Sequence, residues 1–323
     1  MNDFASLLEG VGSVAIAGHI RPDGDCVGSC LATYNYIKTW FPEITVRVIL
    51  EPIPNIFKFL RGADEICSSF AEDKTYDLCI VQDCGESGRL GGAVKYFETA
   101  KKTVCVDHHI SNQSFADENY LFPHASSTSE LVFELIGEER VTKEIAECIY
   151  VGLIHDTGVF QYSNTSAKTM RIAGILMEKG IDFPKIVDDT FFTKTFAQNK
   201  ILGRALQNSA LYEDGKVIAT VISQKEMAEN QALPKHLEGI ASQLRVTKGV
   251  EAAIFLYEQE DGAWKVSMRS NGKVDVSAIA VSLGGGGHVR AAGATVTGSP
   301  QEKICSICKE IKRQLDGAQE DGR

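Results

Sequence analysis

The chain has 323 residues, 44% hydrophobic and 24% charged, with a formal charge of −10. This length suits two domains with separate cores. The acidic balance excludes a protein that coats long nucleic acid by bulk attraction, although a local pocket of metals and arginines still admits short nucleotides.

In chain order, the first elements alternate between strand and helix. Residues 14–17 form a short buried strand. Helix signals run from Asp25 through Leu31, Tyr34 and Ile37 to Trp40, with Pro42 as the stop. Further strands are expected at 45–50, 78–81 and 103–106, with helical patterns between them, as at 93–100. Such alternation implies βαβ units and a parallel sheet with helices on both faces. Helices over 128–135 and 142–154 follow, the second delivering His155-Asp156-Thr157-Gly158. Thr165 or Ser166 caps another helix that stops at Gly180.

The stretch 181–208 is helical in composition and marks the boundary. The expected division is a first domain over 1–187, a helical linker over 188–208, a second domain over 209–318 and a frayed tail over 319–323. The second part opens with a hairpin, 210–212 and 217–221 around Asp214-Gly215. Strands at 252–257 and 264–268 follow, then a helix over 276–283, the run Gly284-Gly285-Gly286-Gly287-His288, a strand at 294–296 and a helix over 300–315. This is a smaller α+β domain with a mixed sheet, and the site is expected in a cleft between the domains.

Nine cysteines, odd in number and scattered, read as reduced buried thiols. Cys305-Ser-Ile-Cys308 reads as two core thiols, and Cys84 as a small core thiol instead of a nucleophile. The N-terminus lacks the apolar segment of a signal peptide, and no apolar run approaches the ~20 residues of a membrane span. A soluble cytoplasmic protein without a membrane partner is expected.

Four segments carry the chemistry. His19, Asp23 and Asp25 form an H-x-x-x-D-x-D run after the first strand, Asp83 ends the third, Asp107-His108-His109 ends the fourth, and Asp156 ends a helix. A single Asp after a strand is ordinarily a turn former, and a single His an ordinary polar residue. Held together, however, so many carboxylates and imidazoles repel one another unless cations intervene. The mix suits borderline-hard divalent metals, and the carboxylate excess favours two ions over one. Asp77 sits at the wrong end of its strand and is excluded. Ser126, Ser127 and Thr128 read as helix caps. Tyr162, Asn164 and Thr165, close after Asp156, are candidates for lining a base pocket. In the second domain, Gly285, Gly286 and Gly287 let backbone N–H groups approach an anion, with His288 and Arg290 beside them. Arg269-Ser270-Asn271 is a second anion candidate, and Arg89 a phosphate candidate near Asp83.

Asp107-His108-His109, the upstream H-x-x-x-D-x-D run, Asp83 and Asp156 together resemble the DHH phosphoesterase superfamily. The glycine run with His288 and Arg290-Ala291-Ala292-Gly293 resembles the DHH-associated nucleic-acid-binding domain. Together they cover essentially the whole chain, at the size of the NrnA type, which joins oligoribonuclease and pAp phosphatase activities. The resemblance implies that His19, Asp23 and Asp83 hold one ion, and that Asp25, Asp83, His108 and Asp156 hold the other. His109 would face the substrate phosphate and Asp107 would orient histidines. It further implies two Mn2+ ions, replaceable by Mg2+ or Co2+, activating a water for in-line attack on phosphorus. The implied substrates are very short oligoribonucleotides and pAp, the implied assembly a homodimer. The second domain, gripping a non-scissile phosphate or base, would act as a ruler. Two alternatives stay open: a phosphodiesterase acting mainly on pApA or cyclic dinucleotides, and an inactive nucleotide-binding module.

Overall fold

Short apolar strands separated by amphipathic helices bury their side chains only when stacked in layers, and the first part of the chain does this around a parallel sheet. The computed structural model describes residues 4–320. It divides into two compact units, one up to Thr193 and one from Lys194 onward.

In the first unit, helix α1 (Phe4–Leu7) leads to β1 (Ser13–Ala17), α2 (Gly24–Trp40), β2 (Thr45–Ile49), β3 (Leu78–Gln82), α3 (Val94–Thr99), β4 (Lys102–Asp107) and β5 (Glu118–Leu121). The sheet order is β2-β1-β3-β4-β5, all parallel. Alternate residues face opposite layers, as the strand period requires. Val14, Ile16, Leu78, Ile80, Val104 and Val106 join the core with α2, α4 (Thr128–Ile136) and α5 (Lys143–Asp156). Ala15, Ala17, Cys79, Val81 and Cys105 pack with Leu90, Ala93 and Tyr96 on the other face. The edge strand β5 is absent from the sequence expectation because its four residues are only half-buried and lack an apolar alternation.

Helices α2 and α5 lie against each other at small residues. A Cβ on Gly28 would come 2.5 Å from the Cys148 carbonyl oxygen, and one on Gly152 would strike Ser129 Oγ and stand 2.6 Å from Asp25 Oδ1. This contact brings Asp25 and Asp156, on different helices, toward the C-terminal edge of the sheet. The unit continues with α6 (Ala167–Glu178), capped by Ser166, and α7 (Phe183–Val187).

The second unit begins with α8 (Phe196–Gln207), then β6 (Ala210–Tyr212), β7 (Val217–Ile222), α9 (Gln224–Glu229), α10 (Ile240–Arg245), β8 (Ala252–Glu258), β9 (Trp264–Ser270), α11 (Val276–Ser282), β10 (Gly286–His288), β11 (Ala291–Val296) and α12 (Pro300–Glu320). The boundary stretch thus holds α7, a π-helical turn over Asp188–Phe192 and α8, the last contributing Ile201 and Ala205 to the second unit's own core. Its sheet is mixed, in the order β10-β11-β9-β8-β7-β6, with β7 and β8 parallel and every other pair antiparallel. The helix expected to end near residue 315 runs to Glu320, and the last part of the expected frayed tail, 321–323, lies outside the described residues. Cys308 is buried on this helix, but Cys305 is exposed, which corrects its reading as a core thiol. No helix among the described residues is long and apolar enough to cross a membrane.

Candidate metal centre

The acidic and imidazole groups expected from the sequence meet where β1, β3 and β4 end. Asp23 caps α2, its Oδ1 accepting from the backbone N–H groups of Asp25 and Cys26, which starts the helix and points Asp25 inward. His19 Nδ1–H donates to the Ile20 carbonyl at 2.8 Å, leaving Nε2 as the free donor atom. That Nε2 stands 3.4 Å from Asp83 Oδ2 and 3.7 Å from Asp23 Oδ1. Asp83 follows β3 with φ 53°, a left-handed conformation that Asp tolerates better than most residues.

His108 Nε2 lies 3.0 Å from Asp156 Oδ2 and 3.6 Å from Asp83 Oδ1. His109 Nδ1–H donates to Asp107 Oδ1 at 2.6 Å, and Asp107 Oδ2 accepts from Asn112 Nδ2 at 2.7 Å. Asp107 is therefore a fully buried anchor that fixes the His109 ring through Nδ1. Among the described residues, donor atoms fall into three sets within 4.8 Å of one another: His19, Cys26 and Asp83; Asp83, His108 and His109; Asp25, His108 and Asp156.

Charge is unevenly balanced here. Burial works against protonation of His19, yet Asp23 and Asp83 outweigh it and push the imidazole up to about 11. Burial opposes charge on His108 too, and Asp156 and Asp83 again prevail, at about 11. The hydrogen bond to Asp107 raises His109. Burial would raise Asp83, but His108 and His19 hold it well below the usual carboxylate range. Asp25 is pushed well up by burial and then by the charges of Asp83 and Asp156, and Asp156 is raised by burial and by Asp83. Two carboxyl groups are thus driven toward the neutral form for want of positive charge. A divalent cation is the ion this donor set fits.

Several supports were invisible in the sequence. Both oxygens of Asp25 accept from the first turn of α4, from Thr128 N–H at 2.6 Å and Ser129 N–H at 2.9 Å. Thr128 Oγ1 donates to Asp83 Oδ1 at 3.3 Å. A helix N-terminus thus holds the anionic cluster in place. The S-x-x-E pattern of Ser127 and Glu130 signals that N-terminus, and Ser127 does cap it, but nothing local says which carboxylate it would grip. Asn112, joining Asp107 to the Cys84 carbonyl, carried no signal.

Other expected residues stand as follows. Cys84 is buried, its Sγ–H donating to the Glu86 carbonyl, and burial pushes the thiol up to about 12, which suits a packed thiol. Asp77 accepts from Gly12 and Ser13 at the opposite end of β3 and pairs with Lys101. The Arg89 carbonyl accepts from Ile20 N–H, so its segment borders the His19 loop.

In the second unit, Arg269, Ala291 and His288 are direct partners across β9, β11 and β10, so their side chains share one face. Gly285 and Gly287 sit close to β11: a Cβ on either would strike the backbone at residues 291–294. Gly286, Gly287 and His288 form edge strand β10, where a loop was expected, and they and Arg290 are exposed. Ser270 is 2% exposed, and its Oγ accepts from Gly272 and Val274 N–H groups. Its hydroxyl oxygen shapes the turn after β9.

Comparison with known proteins follows the same division. Residues 13–153 match the DHH family, N-terminal domain, and residues 214–317 match the DHHA1 domain. The bifunctional oligoribonuclease and PAP phosphatase NrnA of Thermus thermophilus is 30% identical over 318 residues, covering 97% of this chain and 94% of the relative. The protein of the same name from Bacillus subtilis is 28% identical over 290 residues, 88% and 89% of the two chains. A crystal structure of an exopolyphosphatase-related protein from Bacteroides fragilis aligns with TM-score 0.85 at 27% identity, covering 97% of this chain and 94% of that one.

Proposed function

Since the chain belongs to the DHH family, a DHH domain followed by a DHHA1 domain, we propose that it is a metal-dependent phosphohydrolase of very short oligoribonucleotides and of pAp. The observation that carries this reading is the convergence of His19, Asp25, Asp83, His108 and Asp156 at one sheet edge, with a deficit of positive charge. The substrates are those in the names of the two NrnA relatives.

In this reading His19, Asp23 and Asp83 would hold one ion, and Asp25, Asp83, His108 and Asp156 would hold a second. When bound, such a pair supplies an activated water and charge to stabilise the phosphoryl oxygens. The protein's own groups do the rest. Asp107 accepts from His109 Nδ1–H and favours the charged imidazole, whose Nε2–H would donate to a phosphoryl oxygen as its charge grows. Thr128 and Ser129 N–H groups fix both oxygens of Asp25 inside the core. Arg89, beside the His19 loop, adds a cation for the same phosphate. In the second unit, Arg269, His288 and Arg290, with the amides of Gly285–Gly287, hold the phosphate or base that is not cleaved. Mn2+ as the ion, a homodimeric assembly and a cytoplasmic setting complete the proposal, the first two resting on family likeness.

The test is a product-resolved time course with added Mn2+ on pAp, pApA, a ladder of short RNAs and pyrophosphate. AMP and phosphate from pAp, and mononucleotides from the shortest RNAs, are expected. Turnover of pyrophosphate alone would overturn the assignment.

A further inference from the structure

Immediately after Asp156 the chain does something costly. Gly158, Val159 and Phe160 have φ of 56°, 55° and 63°, three consecutive residues in the left-handed region. Glycine adopts this freely, but a β-branched Val there is a genuine outlier, and such strain persists only where surroundings enforce it. Here the enforcement is explicit. The fully buried Thr157 accepts at its carbonyl from Gln161 and Tyr162 N–H groups, both at 2.9 Å, and at Oγ1 from Phe160 N–H at 3.0 Å. Val159 N–H reaches the Ile154 carbonyl at 2.7 Å. Asn164 Nδ2 fastens the far side, donating to the carbonyls of Ser126 at 2.8 Å and Asp156 at 3.1 Å.

The turn places the Tyr162 ring flat against Gly158. A Cβ on Gly158 would meet three ring atoms of Tyr162 and no other group so closely. One side of the ring is thus backed by bare backbone, while the residue remains 51% exposed. Gly158 is two residues from Asp156, at most about 7 Å along the backbone. A half-exposed phenol ring held against the Gly158 backbone, six residues after Asp156, has the features of a stacking platform. Every nucleobase offers a π face to such a ring, so stacking supplies affinity without reading base edges.

We propose that Tyr162 is a specificity-determining residue: its exposed ring stacks on the base of the nucleotide whose phosphate is cleaved. The proposal rests on the phosphohydrolase reading above and adds the group that makes the site prefer nucleotides over simple phosphoesters. The strained turn is the device that holds the ring there, and Gly158 is the support only a residue without a side chain provides.

The test compares pAp with ribose 3,5-bisphosphate, which carries the same phosphates and no base, on the full chain with added Mn2+. Tyr162→Ala is expected to raise KM for pAp about 5- to 150-fold, with kcat much less changed, and to leave KM for the base-free compound within about twofold. Tyr162→Phe and Tyr162→Trp should restore pAp to near the parent value. Gly158→Ala, which displaces the ring, should reproduce the base-selective loss. Equal loss on both compounds, or no loss on pAp, overturns the stacking role while leaving the phosphohydrolase reading intact. An unmodified protein inert toward both compounds overturns that reading and this inference with it.

Discussion

Replacing Asp83 tests the site most sharply, because this one carboxylate touches every histidine in it. It lies 3.4 Å from His19, 3.6 Å from His108 and 3.7 Å from His109, and it is 2% exposed. Asp83→Asn keeps the shape and the tolerance of φ 53° but removes the charge. A single charge contact at such distances is worth about 4 kcal/mol at an effective dielectric of 20. Losing one such contact with a bound ion therefore lowers the rate by about 10³-fold. In the metal-free protein, His19 loses one of its two carboxylates, so burial draws its pKa down from about 11. Asp83→Ala adds a backbone penalty of about 1–2 kcal/mol, because Ala resists the left-handed region. The assays are metal content by mass spectrometry after dialysis, the rate of pAp hydrolysis, histidine titration by NMR and urea unfolding. An Asn variant with full metal content and a rate within tenfold of the parent would refute the bridging role.

Three other outcomes are expected. Asp107→Ala frees His109 Nδ1 and Asn112, and should lower metal affinity or turnover about 10- to 100-fold, with the His109 titration moving down in NMR. Gly28→Ala forces a methyl group toward the Cys148 carbonyl at the contact of α2 and α5, and should destabilise the first unit by about 1–3 kcal/mol in urea unfolding. Glu226 in the second unit is opposed by burial but accepts from Ser223, Asn208 and Arg204, which hold it at about 2. A depressed carboxylate stabilises the folded state fully above its unfolded value and ceases to do so below its folded one. The stability difference between the parent and Glu226→Gln, followed by circular dichroism, should be constant near neutral pH, shrink below about 4.5 and vanish near pH 2.

Much of this protein is written locally in its chain. The alternation of short apolar runs with capped helices yields the parallel sheet, because strand and helix periods are properties of consecutive residues. Asp23 as a cap, the strand-end position of Asp83, Asp107-His108-His109 and the helix-end position of Asp156 are local too, and their shared sheet edge follows from parallel order. What tertiary structure alone decided lies in contacts between distant residues. Thr128 and Ser129 hold Asp25 from more than 100 positions away, Thr128 reaches Asp83 from 45 positions away, and Asn112 grips the Cys84 carbonyl from 28 positions away. Strand β5 forms because β4 offers it an edge, and Gly286–His288 pair with β11 because glycine allows the backbones to meet. A side chain's type states which bonds it is able to make; which of them it makes depends on partners that only the folded chain brings within reach.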